Sequence, residues 1–356
     1  MRKILLTIFS VLFFISLSVS AQTFEETMAQ LSADAGSAYV NPIGSAFGSN
    51  MNSGWFSGVP EAQMLGLDLE LKISIHASMF SDDAKNFKTS GKFQFSSDQT
   101  KQLLGPNPSG TGNAAANQAI YDAFAGATHT VAIAGPTVVG SKDEFVTIGF
   151  ASPTVTVAGQ TYNLQQQDIA LTEVKGIGNE LPALPQPSAQ LTIGTVFGTT
   201  ASFRYFPTVA AGDFGDISFF GYGVTHNPAM WLPVPLPVDV GIGFYTQTLE
   251  LGKIFESTAT QFGVFASKEF GFIISVTPYI GLTMETSTTT LKYDQTFTDA
   301  NGKVIGTPIP IKFELEGDND LGITAGLKLD LFLLQLYADY KMATTSTISA
   351  GLMMGF

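Results

Sequence analysis

The stretch LGITAGLKLDLFLLQLYADYKMATTSTISAGLMMGF, residues 321–356, decides the fold class. It reads as three alternating runs. In Leu321–Leu331, one side carries Leu321, Ile323, Ala325, Leu327, Leu329 and Leu331, and the other Gly322, Thr324, Gly326, Lys328 and Asp330. In Leu334–Met342, Leu334, Leu336, Ala338, Tyr340 and Met342 alternate with Gln335, Tyr337, Asp339 and Lys341. The last run sets Ile348, Ala350, Leu352, Met354 and Phe356 against Ser349, Gly351, Met353 and Gly355. A period of two puts neighbouring side chains on opposite faces, so each run is a strand with one apolar face.

A strand that ends on an aromatic residue, here Phe356, resembles the closing strand of bacterial outer-membrane β-barrels. That resemblance implies a location in the outer membrane, contact with its lipid, and recognition of Phe356 by the barrel assembly machinery. The start of the chain agrees. Met1–Ala21 has Arg2 and Lys3, then the apolar run Ile4–Val19, then Val19-Ser20-Ala21, the pattern of a cleaved signal peptide.

Composition narrows the class further. No cysteine is present, so disulfides, thiolate metal sites and cysteine nucleophiles are excluded. Mean hydropathy is +0.22, yet after residue 21 no apolar run approaches the roughly 20 residues of a membrane helix. Apolar residues spread in alternation are what a barrel leaves in a sequence. A soluble β-sandwich would alternate too. The formal charge of -13 offers no basic patch for phosphates, so a nucleic-acid partner is not expected.

Phe24–Ala35 reads as a short amphipathic helix. Ala38–Gly58, AYVNPIGSAFGSNMNSGWFSG, has no clear period but carries Phe47, Trp55 and Phe56 among Gly, Ser and Asn. An exposed linker rarely holds so many aromatics, so this segment is expected to be an ordered plug in a barrel mouth. Asn41-Pro42-Ile43-Gly44 resembles the Asn-Pro-Ala element of the long-chain fatty-acid transporter barrels. In that family the N-terminal segment forms a hatch inside the lumen. The resemblance implies an N-terminal plug that includes Asn41 and Pro42, and passage of a hydrophobic compound. Ile43 departs from the family's Ala.

The first strand is expected at Leu65–Ser78, where Leu67, Leu69, Leu71, Ile73 and Ile75 alternate with Asp68, Glu70, Lys72, Ser74 and His76. A Lys in lipid costs about 2–4 kcal/mol near the midplane, so the charged face looks into the lumen, or into water if the protein is soluble. A second strand is expected at Phe87–Phe95. Residues 96–187 read as an insertion with one or two hairpins, a helix near Asn117–Phe124 and short strands at Phe145–Phe150 and Thr154–Val157. Leu181–Pro187, LPALPQP, is expected to be a connector that cannot sit in a central strand. Leu191–Tyr205 reads as one long strand with Arg204 on its polar face, and Val238–Gln247 as another with Asp239 and Tyr245 inward. Counting back from a terminal strand running into the periplasm puts the loops at 181–187 and 226–237 on the periplasmic side, with Trp231 as an interface anchor. The whole is an all-β, transmembrane antiparallel barrel of about 10–14 strands. The signal occupies 1–21, helix and plug 22–63, and the barrel 64–356.

The chemistry is sparse. His76, His129 and His226 stand far apart with no metal-site spacing, and no phosphate-binding or nucleophile motif occurs. No cofactor, metal or catalytic site is expected. The lumen residues expected to meet a solute are Asp68, Glu70, Lys72, Arg204, Asp239 and Tyr245. Arg204 is expected to pair with Asp239 or Glu70, or to hold an anionic headgroup. The leading reading is passive uptake of a small hydrophobic compound through a plug-gated lumen. A structural or adhesive barrel with a blocked lumen is the alternative, and a barrel lipid enzyme using His76 and Ser78 the third.

Overall fold

The computed structural model describes residues 33–93, 100–101, 104–149, 154–157, 159–163, 169–176, 182–210, 216–233, 236–298 and 304–355. The expected signal peptide, most of the Phe24–Ala35 helix and Phe356 lie outside these residues. Helix α1 spans Ala33–Met51 and α2 Ala114–Ala125. The strands are β1 Leu65–Met79, β2 Asn86–Phe93, β3 His129–Pro136, β4 Phe145–Gly149, β5 Thr154–Val157, β6 Gln160–Asn163, β7 Ile169–Lys175, β8 Ala183–Val196 and β9 Thr199–Ala210. They continue as β10 Asp216–His226, β11 Asp239–Leu251, β12 Phe255–Ser267, β13 Phe270–Gly271, β14 Ile274–Thr298, β15 Val304–Glu316, β16 Leu321–Leu331, β17 Leu334–Met342 and β18 Thr347–Gly355.

Ten strands close a ring in the order β1, β8, β9, β10, β11, β12, β14, β16, β17, β18. β18 returns to β1 with Ile73 opposite Leu352 and Ser78 opposite Thr347. All pairs are antiparallel, and closure leaves the ring no free edge. The three C-terminal runs are strands, the first two at the expected bounds and the third at Thr347–Gly355, one residue earlier than expected at its start. β14 is long: its lower part pairs with β16 and its upper part with β15, so β14 and β15 rise above the ring as a hairpin. The tip of that hairpin lies outside the described residues. Outside the ring, β2, β3, β4 and β7 form a four-stranded sheet and β5–β6 a hairpin. The strand expected at Phe87–Phe95 is β2, and it belongs to this smaller sheet.

Two expectations are corrected. Leu191–Tyr205 is not one strand but the end of β8, a turn at Phe197-Gly198 and the start of β9. The register slips between Ile193 and Val196, and Val196 pairs with Thr199. The extra residue of the bulge offsets the change of parity at the two-residue turn. Odd-numbered residues therefore face outward on both strands away from the bulge, where Thr195 is buried and Val196 exposed, and the alternation resumes on β9 in the phase it had before. Missing that turn displaced the count by one strand. The 182–187 segment thus lies at the upper end with the turn at 252–254, opposite the turn at 227–238. Nor is LPALPQP a connector: Pro185 sits opposite Ala77 and Pro187 opposite Ile75 inside β8. β8 meets β9 only from Gln190 onward, so both prolines stand where one edge of the strand has no ladder to lose.

Outward positions of the lower ring are apolar and exposed, among them Ile242, Phe244, Phe262, Val264, Ile280 and Leu282. Inward positions are buried and mostly polar, with Tyr245, Phe265, Tyr279, Tyr337 and Met353 among them as a separate cluster. Inside runs α1, continuous through Pro42. Its sequence has no clear amphipathic stripe because it is enclosed on several sides. Phe47 packs on Phe255 at 5.1 Å between ring centres, and Ala35, Val40, Leu291 and Leu315 fill the same core. The hydroxyl of Tyr39 donates to the carbonyl of Lys175 (2.8 Å), and burial raises its phenol above the ordinary range. Glycines let the helix approach the wall. A Cβ at Gly48 would overlap Ser287 Oγ. Gly48→Val is expected to cost about 1–3 kcal/mol and to lower the unfolding temperature of the detergent-solubilised barrel, read from its migration on unboiled gels.

Candidate functional site: the plug and the lumen wall

The lower end of α1 and the turn after it, residues 49–60, cross the lumen. A helix C-terminus exposes carbonyls and carries partial negative charge. Three cations of the wall meet it. Lys341 Nζ, on β17, donates to Ser49 O (2.9 Å) and to Glu285 Oε2 on β14 (2.8 Å). Arg204, on β9, donates from Nη1 to Met51 O (3.3 Å) and from Nη2 to Ser53 O (2.8 Å). Lys72 Nζ, on β1, donates to Trp55 O (3.2 Å). All three are buried.

The wall fixes the donors in turn. Arg204 Nε donates to Gln190 Oε1 (3.0 Å), and Gln190 Nε2 donates to Trp55 O (3.1 Å). The guanidinium lies 3.9 Å from the Trp55 ring centre, within reach of a cation–π interaction. Trp55 stacks on Tyr245 at 5.0 Å, and the Tyr245 and Thr225 hydroxyls share a hydrogen bond. Phe56 fits between Phe265 (3.9 Å) and Tyr279 (5.7 Å). Gly54 has φ +64, and a Cβ there would strike the His76 ring, so the turn needs glycine for both conformation and room. Ser78 Oγ donates to Asn50 Oδ1 (2.8 Å), and Asn50 Nδ2 to Leu184 O (2.8 Å).

Of the expected lumen residues, Lys72, Arg204 and Tyr245 come together around the plug. Glu70 lines a cavity beneath it. The Asp68 side chain lies outside the described residues. Asp239 opens β11 at the lower rim and is exposed. Arg204 therefore makes neither expected ion pair; its partners are main-chain carbonyls and two glutamines, the second being Gln247 (3.5 Å). His76 and Ser78 have separate partners, since His76 Nε2 shares a 2.8 Å hydrogen bond with Ser188 Oγ. The expected plug residues divide. Phe47, Trp55 and Phe56 are buried against the wall, while Asn41 and Pro42 line a cavity above. Lys341 and Glu285 were not foreseen. Lys341 sits on the polar face of a recognised strand, and a lone lysine there signals a buried partner.

The upper cavity, of about 1110 Å³, lies between α1, the start of β2 and the tops of β1 and β17–β18. The lower, of about 380 Å³, is lined by Trp55, Glu70, Lys72, Gln190, Lys328 and Gln335 among others. The plug segment lies between them. No described helix is long and apolar enough to cross a membrane, which says nothing of strands. Among the described residues no three His, Asp or Glu side chains group as a metal site.

No curated protein matches the chain. Solved structures with some likeness are barrels. OmpT of Vibrio cholerae has 10% identity over 82% of this chain and 97% of its own, at a TM-score of 0.24. The transport unit of the autotransporter AIDA-I from Escherichia coli has 9% identity over 88% and 97%, at 0.23. An anion-selective porin from Comamonas acidovorans has 10% over 82% and 99%, at 0.17. Likeness this shallow gives this chain no property of those proteins. A family model does match from end to end, over residues 1–356, and the chain belongs to the family of unknown function DUF6588.

Proposed function

We propose that the chain is an outer-membrane barrel that passes a small compound when residues 52–60 of its plug move aside. The observation that carries this reading is the contrast between the two parts of the plug. Residues 33–47 are held by apolar packing, which water cannot replace. Residues 49–60 combine the packing of Trp55 and Phe56 on Tyr245, Phe265 and Tyr279 with side-chain donors on main-chain carbonyls, and water can replace those donors at a net cost of about 1.5–3 kcal/mol per charged bond. Cavities on both sides of this segment support a path through it. The resemblance of Asn41-Pro42-Ile43-Gly44 to the hatch of fatty-acid transporter barrels supports the same reading. The wall below the plug is polar, which favours an amphiphilic or polar compound over a purely hydrophobic one. Short turns at the lower end and the long insertion and β14–β15 hairpin at the upper end support a periplasmic lower mouth.

Replacing residues 52–58 with a Gly-Ser segment of equal length is expected to let small sugars swell liposomes that the wild type keeps closed. The buried Lys341–Glu285 pair favours the second reading, a structural or adhesive barrel that stays sealed. An intact barrel that passes nothing after this replacement supports that reading and sinks the first.

A further inference from the structure

The apolar exterior continues past the strands onto the turns of the lower end. Phe272 is 97% exposed, Phe332 83% and Trp231 65%. The four lower turns, at 197–198, 227–238, 268–273 and 332–333, contain only Lys268 and Glu269 as charged residues. Turns standing in water have no reason to present such rings.

The upper end has the opposite pattern. Along the outside of β14, Ile274, Val276, Pro278, Ile280, Leu282 and Met284 give way to Thr286, Thr288 and Thr290. On β11 the outward row ends in Thr246, Thr248 and Glu250, and on β12 it begins with Glu256 and Thr258. The interior changes at the same height. Below are Gln261, Thr283 and Glu285; above are Leu249, Phe255, Leu291 and Leu315, all buried. The upper barrel thus has a polar exterior around an interior richer in aliphatic side chains, with Ser257 and Thr289 buried among them, while the lower barrel has an apolar exterior around an interior that mixes Gln261, Thr283 and Glu285 with the cluster of Trp55, Phe56, Tyr245, Phe265 and Tyr279. From Ile274 to Met284 the strand covers about 23 Å in height at ~3.3 Å per residue and ~45° tilt, close to the ~25 Å of a barrel's apolar band.

We infer that the lower turns insert into the lipid interface, and that the barrel above Met284 stands clear of the membrane in water. This rests on the membrane reading above and adds a position to it. The occupant of the exposed rim is bilayer lipid, because the rim is continuous with the lipid-facing band and its turns carry only Lys268 and Glu269 as charges, with Asp239 beside them at the start of β11. Trp231 suits that layer, since indole prefers the headgroup boundary. It stacks on Phe197 at 5.9 Å, and its Nε1 donates to His226 Nε2 (3.2 Å). One consequence concerns cargo. The lower cavity opens among headgroups rather than in bulk water, so a solute leaving it meets lipid first.

The two tryptophans make the test direct, because Trp55 is buried in the plug and Trp231 lies on the rim. The full chain is reconstituted in phosphatidylcholine vesicles whose acyl chains are brominated either near the headgroup or near the terminal methyl. Headgroup-proximal bromine is expected to quench the emission more than deep bromine, and Trp231→Phe to remove most of that quenching. Thr288→Trp adds a fluorophore above the proposed boundary, which aqueous acrylamide should quench and bromolipid should not. The inference is overturned if Trp231 responds to acrylamide and not to bromolipid, or if the tryptophan at 288 is quenched by bromolipid. A chain that does not enter vesicles at all overturns the membrane reading and this inference with it. A chain that enters but keeps Trp231 in water overturns the inference alone.

Discussion

Lys341→Met is expected to destabilise the barrel by about 3–5 kcal/mol, the usual result of removing one partner of a buried ion pair. Lys341 and Glu285 are essentially inaccessible, and 2.8 Å separates their charged atoms. Methionine fills similar space, so the loss is electrostatic. It strands the Glu285 carboxylate and removes the donor to Ser49 O. Among the described residues Glu285 has one further side-chain donor, the Thr283 hydroxyl at 2.7 Å, which cannot replace a full charge. The double variant Lys341→Met with Glu285→Met removes both charges and is expected to recover most of the loss. Thermal conversion of the folded band on unboiled gels reads both. Equal instability of the single and double variants would mean that the cation acts through the plug carbonyl alone.

The second large effect concerns the proposed gate. Arg204→Leu removes the donors to Met51 O, Ser53 O and Gln190, together with the contact over Trp55. Two of those acceptors are plug carbonyls. Losing two charged bonds worth ~1.5–3 kcal/mol each is expected to shift the seated-to-unseated ratio of the plug by at least about 100-fold, since ~1.4 kcal/mol is tenfold. The chain has no cysteine, so Ser57→Cys provides a unique thiol at a buried plug position beside Met353. Its modification by a membrane-impermeant reagent should accelerate by a similar factor in the Arg204→Leu background, with conductance appearing in parallel. Arg204→Lys should fall between, because an ammonium cannot hold two carbonyls with a planar fork. Unchanged labelling with a lower unfolding temperature would make Arg204 a structural residue of a sealed barrel.

Much of this architecture is legible in the chain, and the parts that are not share a cause. Strand alternation reports which face meets lipid, so the C-terminal runs and the inward set Lys72, Arg204 and Tyr245 can be read directly. Alternation does not report where a strand turns. At Val196–Thr199 a bulge and a tight turn cancel in parity, and the hairpin leaves no mark. Prolines argue against a central strand, yet Pro185 and Pro187 exclude only a ladder on the side where β8 has none. Helix α1 is hidden because its Gly44, Ser45, Gly48 and Ser49 suit an enclosing wall rather than an apolar stripe, and it passes through Pro42. Asp239 follows the inward parity of its strand but opens it, and the lumen ends there. The partners of Arg204 were unreadable for a different reason: main-chain carbonyls have no sequence signature.

The central claim is that alternate side chains of the lower strands face lipid and plug. It is tested most directly by single nitroxide labels placed one at a time along β14 from Ile274 to Thr290 in reconstituted vesicles. The account predicts collision with dissolved oxygen at Val276, Ile280, Leu282 and Met284, protection from both oxygen and a water-soluble nickel reagent at Tyr279, Thr283 and Glu285, and a change to nickel accessibility at Thr286 and Thr288. Protection of both rows alike, in a chain that stays in solution without detergent, would contradict it.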